Sequence, residues 1–111
     1  MDFWFAIART VLPPKTTLYD TALLFSKLGV AIHDSRVVLS ALQYGFWYWR
    51  PPTAFRTGDA NHRPIPTWNQ YILWNTHPDY PSGATTISGS AAAVMELYFG
   101  KTDVEFTIQG T

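Results

Sequence analysis

An all-α helical bundle is the fold class this sequence predicts, and three features predict it. The run from Thr17 to Trp49 contains no proline. Apolar residues recur at helical steps inside that run, and again at Ile87, Ala91, Val94 and Tyr98. The period-two alternation of a half-buried strand shows only weakly, in the tail VEFTIQGT, and one strand cannot form a sheet alone.

The first segment, MDFWFAIARTVLPP, closes at Pro13 and Pro14. An acid at position 2 and Arg9 within the apolar run oppose the basic-then-apolar order of a signal peptide. No stretch approaches the roughly 20 apolar residues of a membrane span, although FWFAIA also has the pattern of a short membrane-surface helix. From Thr17, Leu18, Ala22, Phe25 and Leu28/Gly29 mark one helical face. Ile32, Ser35/Arg36, Leu39 and Leu42 continue it as a mixed face. One or two helices follow from this, with Gly29 and Gly45 as the places for a kink and Pro51 and Pro52 as the end, because proline disfavours helix in the residue before it.

Between Pro51 and Gly83, prolines alternate with Gly58, Asp59, Asn61 and Asn69, and sustained periodicity disappears. A long ordered loop, or short helical turns, is expected there; loops beyond about 15 residues are usually functional. A last helix starts near Ser82 and stops at Gly100, and its small-residue stretch SGSAAA suits close packing. Neither internal repeats nor low-complexity segments occur.

The 111 residues fit one domain able to bury about two-thirds of its unfolded surface. Charged residues are 14 % and aromatics 16 %, a balance with more apolar surface than one small core hides, so a homo-oligomer or a larger partner is expected. A net charge of zero without a basic cluster sets nucleic acid aside. The absence of cysteine removes disulfides, thiolate catalysis and thiolate metal sites. Compartment stays open.

Chemistry concentrates in two segments. In HPDYPSGATT a Pro-Ser-Gly turn opens a helix, placing the Ser82 hydroxyl and free backbone N–H groups at the positive end of the helix dipole, where an anion is favoured. Ser82 read plainly is an N-cap. Arg50 closes the aromatic run YGFWYWRPP, where a guanidinium beside a proline-fixed turn suits forked bonds to phosphate or vanadate oxygens.

Together, AIHDSRVVLSALQYGFWYWRPPTAFR (Ala31 to Arg56) and HPDYPSGATTISGSAAAVMELYFG (His77 to Gly100) resemble the core of the vanadium-dependent haloperoxidases and the related type 2 phosphatidic acid phosphatases. The resemblance implies a partial version of that all-helical fold and a pocket that binds vanadate or hydrolyses phosphate esters. It carries Arg50 over as an oxyanion clamp, Ser82 as a hydroxyl donor and Gly83 as a backbone N–H donor. Gln43 stands where the family has a lysine, and Ala84 where it has an acid/base histidine. The later arginine and histidine of the motif have no counterpart before Thr111. Losing two cations weakens oxyanion binding on the order of a thousandfold, and losing the general acid/base costs about 10²–10⁴ in rate.

Other candidates read as structural. His77 could approach the pocket, but a structural hydrogen bond is the plainer role. His33 and Asp34 are neighbours that point to different sides of a helix, and His62 sits in the polar loop. No H-x₃-H or HExxH spacing marks a metal site, and Asp59 and Asp79 show no spacing of a paired acid and base. The aromatics Phe46, Trp47, Tyr48, Trp49, Trp68, Tyr71, Trp74 and Tyr80 read first as core and loop anchors, and second as a pocket lining or an oligomer interface.

The expectation is therefore a single shortened haloperoxidase/phosphatase-like helical domain over 1–111, degenerate, with at most a weak phosphate or vanadate site and no efficient catalysis alone. The alternative is a non-catalytic module that associates with itself or a partner through an aromatic surface. Arg50 separates them: the first needs it facing Ser82 across an open pocket, while the second allows it to be buried in a salt bridge.

Overall fold

Four helices form among the described residues: α1 (Asp2–Val11), α2 (Leu18–Phe46), α3 (Pro51–Thr57) and α4 (Gly83–Phe99). This is a computed structural model that describes residues 2–73 and 75–107. Contacts divide the chain into two units, residues 1–37 with 83–111 and residues 38–82, so α2 contributes to both.

The first unit holds the larger core. In α1, Trp4, Ile7, Ala8 and Val11 fall at helical spacing; Ile7 and Ala8 are buried, and Trp4 and Val11 pack against the same cluster. This corrects the membrane-surface pattern of FWFAIA: the apolar face is spent on protein, and the Phe5 and Phe25 rings meet edge to face at 5.5 Å. Leu12 N–H still bonds to the Ala8 carbonyl before Pro13 stops the chain.

Thr17 starts α2. Its hydroxyl oxygen accepts the Asp20 backbone N–H at 3.0 Å and donates to the Asp20 carboxylate at 2.7 Å. The helix then runs unbroken through Gly29 and Gly45. Its buried stripe in this unit is Leu24, Leu28 and Ile32, joined by Ala91 and Met95 of α4. The expected face holds at Phe25, Leu28, Ile32 and Leu39 and fails at Leu18, which is 86 % exposed, and at Leu42, while Leu24, outside it, is sealed. In α4, Ile87, Ala91, Val94 and Tyr98 do face the core, and Gly100, at φ +66°, ends the helix with its N–H on the Glu96 carbonyl. Of SGSAAA only Ala91 is buried. The tail forms no strand over 101–107, and the remainder of VEFTIQGT lies outside the described residues.

The second unit begins with the last turns of α2, where Leu39 and Gln43 are buried. Pro51 and Pro52 do not end that helix, which already stops at Phe46; they open α3, occupying its first two positions, where a missing N–H costs nothing. The described residues of 58–73 and 75–82 form turns and irregular backbone without a further helix. As core residues the aromatics fail at Phe46, Trp47, Tyr48, Tyr71 and Tyr80, each more than half exposed, although Phe46 does anchor the loop by meeting the Tyr80 ring at 5.4 Å. Once α2 ends at Phe46, no helical periodicity turns the following rings inward. Trp74 lies outside the described residues. No helix among the described residues is long and apolar enough to cross a membrane.

Candidate functional site

Arg50 is placed by its neighbours in sequence. Its backbone is extended (φ −88°, ψ 157°), as a residue before proline prefers, and its carbonyl accepts the N–H groups of Thr53 and Ala54 at the start of α3. The side chain is 17 % exposed, and each guanidinium nitrogen has a protein acceptor. Nε donates to the His77 carbonyl at 2.6 Å, and Nη1 lies 3.3 Å from the Asp79 carboxylate. Nη2 approaches the His77 ring, 3.1 Å from Nδ1 and 3.4 Å from Nε2. Nδ1 also lies 3.1 Å from the Pro78 carbonyl. The tautomer decides between them: Nδ1–H donates to Pro78 and leaves Nε2 to accept from Nη2, whereas an unprotonated Nδ1 accepts from Nη2 and gives up the Pro78 bond.

A backbone bond also joins the two segments, the Asp79 N–H donating to the Tyr48 carbonyl at 2.9 Å. Pro78 is buried, and Tyr80-Pro81 is a cis peptide. Gln43, 5 % exposed on α2, donates from Nε2 to the Pro81 carbonyl at 2.9 Å. The amide that stands in the lysine's place therefore holds the turn just before Ser82. Ser82 itself is exposed and occupies the position preceding α4. Gly83 and Ala84 open α4 in the other unit, Ala84 exposed.

Thus the second unit brings together Arg50 with His77, and Gln43 with the turn at Pro81. Asp79 is the functional neighbour that sequence reasoning missed. Its adjacency to His77, in the only other segment that resembled the motif, was the available signal. A carboxylate already bound to the guanidinium supplies the charge an oxyanion would bring, and repels a second anion. An oxyanion approaching Nη1 of Arg50 must therefore compete with Asp79.

The remaining candidates are dispersed. His33 and Asp34 are exposed on α2. Asp59 and His62 pair at 2.8 Å in the loop, where the Asp59 carboxylate also accepts the backbone N–H groups of Asn61 and His62. The Asn61 N–H and then the His62 ring hold the Asp59 carboxyl below the ordinary carboxylate range. No group of three potential ligands gathers for a metal among the described residues.

Residues 23–111 match a family model described as the VCPO second helical-bundle domain. Comparison with curated proteins gives no match. Comparison with solved structures gives none either.

Proposed function

We propose that this chain, which belongs to the family of VCPO second helical-bundle domains and so to the vanadium haloperoxidase superfamily, is a degenerate member that binds phosphate or vanadate weakly at most and does not catalyse efficiently alone. The observation that carries the loss of function is the engagement of Arg50 by His77 and Asp79, a salt-bridged state that the association reading allows as well. Arg50, Ser82 and Gly83 are the residues that the resemblance assigns to an oxyanion. Each charge-assisted bond contributes about 1.5–3 kcal/mol, and any bond to an incoming oxyanion must first displace the Asp79 carboxylate. Gln43 and Ala84 supply neither the cation nor the acid/base group of the resembling motif.

Calorimetry with orthovanadate at low salt tests this. The expected dissociation constant is millimolar or weaker, Asp79→Asn strengthens binding about threefold to tenfold by releasing Nη1, and Arg50→Ala removes it. Micromolar binding by the unsubstituted chain, or phosphatase or haloperoxidase turnover that Arg50→Ala abolishes, would overturn the proposal.

A second reading, compatible with the first, is a self-association or partner-binding module. It is favoured by the exposure of Trp47 (71 %), Tyr71 (102 %), Ile72 (75 %) and Leu73 (93 %) in one unit, since apolar surface of this kind is stabilised by being covered. Light scattering should show a homo-oligomer at micromolar concentration that Trp47→Ser with Tyr71→Ser disperses. A monodisperse monomer at every concentration would exclude self-association.

A further inference from the structure

A cleft of about 730 Å³ lies wholly within the second unit, and nothing in the Arg50 site accounts for it. Its volume is in the range of small-molecule sites. Tyr48, Trp49 and Phe55 are aromatic residues of its lining, Ala54 lines it as well, and Asp59, His62, Arg63 and Asp79 are the charged or titratable groups.

The walls are fixed before any ligand arrives. Phe55 stacks on Trp68 with centroids 4.8 Å apart, and its carbonyl accepts the Ile65 N–H at 2.8 Å. Arg56 ties the far side of the loop, donating to the Trp68 carbonyl at 2.9 Å and to Asn69 Oδ1 at 2.7 Å. On the opposite rim the Asp79 N–H bond holds Tyr48. Little ordering cost therefore remains for binding.

Charge decides the kind of ligand. Asp59 is taken by His62 and two backbone N–H groups, and Asp79 by Arg50. Arg63 lines the cleft with no hydrogen bond or ion pair among the described residues. Its guanidinium is the lining cation that has no acceptor among the described residues, and the aromatic rings of the lining favour a flat apolar body.

We propose that this cleft is a binding site for a small amphipathic organic anion, a flat aromatic body carrying one carboxylate that Arg63 receives. The site is separate from the oxyanion site at Arg50, sharing only Asp79, and does not depend on that site being active.

The test uses three probes of one shape and different charge: 2-naphthoate, 2-naphthylmethanol and 2-naphthylmethylammonium, titrated by calorimetry with amide shifts followed by NMR. Naphthoate should bind saturably and shift the Gly58 and Ile65 amides, while the ammonium binds at least tenfold more weakly. Arg63→Gln should weaken naphthoate about threefold to tenfold, the range for an exposed charge contact, without loss of helix by circular dichroism. Ala54→Phe, which puts a ring at a lining position, should remove binding, and Arg36→Gln, an exposed cation of the first unit, should leave it intact. Absence of saturation at millimolar naphthoate, equal affinity for the three probes, or binding indifferent to both Ala54→Phe and Arg63→Gln would overturn the assignment.

Discussion

Each nitrogen of the Arg50 guanidinium faces a protein acceptor, so the residue acts as a tie between the extended segment before α3 and the turn carrying His77. Its partners contribute unequally. Asp79 is 41 % exposed, and a pair that open to water is worth about 0–1 kcal/mol. The bond to the His77 carbonyl is more sheltered, and Arg50→Ala removes it with the rest. Urea denaturation should therefore show Arg50→Ala destabilising by about 1–3 kcal/mol and Asp79→Asn by less than about 1 kcal/mol. Equal losses would mean that the carboxylate, not the carbonyl, is the main anchor. Gly58 is a second site where one residue decides local structure. Its φ of +67° with ψ of −175° lies in a region open only to glycine, and an added Cβ would stand 2.6 Å from the His62 carbonyl oxygen and the Pro64 nitrogen. Gly58→Ala should cost about 1–3 kcal/mol and perturb the amides of Asp59 and His62, an outcome that NMR spectra and thermal melts can check.

Among the elements, the loop after α3 carries its own pH dependence. The Asn61 N–H and the His62 ring favour the charged Asp59 carboxylate, so its folded pKa lies below the ordinary 3.8. A group depressed in this way contributes stability above its unfolded pKa and loses it as pH falls through the folded value. The loop should keep its Asp59–His62 contacts at neutral pH and release them only in acid below about pH 3.8. Carboxyl chemical shifts of Asp59 would measure this; a midpoint at or above 3.8 would contradict the hydrogen-bond account. At the start of α2 the Thr17 cap makes a simpler prediction. Thr17→Ala should destabilise by about 1 kcal/mol, read as a lower melting temperature with unchanged helix content at low temperature.

Across the whole molecule, burial is uneven. The sealed apolar side chains Leu24, Leu28 and Ile32 belong to the first unit, whereas the second buries Leu39, Gln43, Pro52 and Pro78 among many exposed rings. Amide exchange should accordingly be slowest in α2 around Leu28 and fast through the loop 58–73. Leu28→Ala should cost about 2–5 kcal/mol, a large part of the stability of a small domain. Comparable protection in the loop would show that the second unit is held by something beyond its own buried residues, in line with the association reading.

Much of the helical organisation was legible because it is local. Prolines and glycines bounded α1, α2 and α4 nearly where they fall, the steps through Ile87, Ala91, Val94 and Tyr98 named part of the core face, and two short segments were enough for the family resemblance. On α2 the face was legible at Leu28, Ile32 and Leu39 but not at its start, because low amphipathicity leaves several faces with similar apolar content; packing selected Leu24 over Leu18. The short α3 escaped because its opening prolines read as a stop.

The sequence by itself determined the helical class and the identity of Gln43 and Ala84, because backbone sterics, capping and residue chemistry act within a few positions of each other. Tertiary structure alone decided that Arg50 spends its donors on His77, 27 positions away, and on Asp79, and that Arg63 lines an aromatic cleft without a partner. Those outcomes depend on how an irregular loop returns to α3, and a loop that lacks periodicity encodes its path only through the contacts it finally makes.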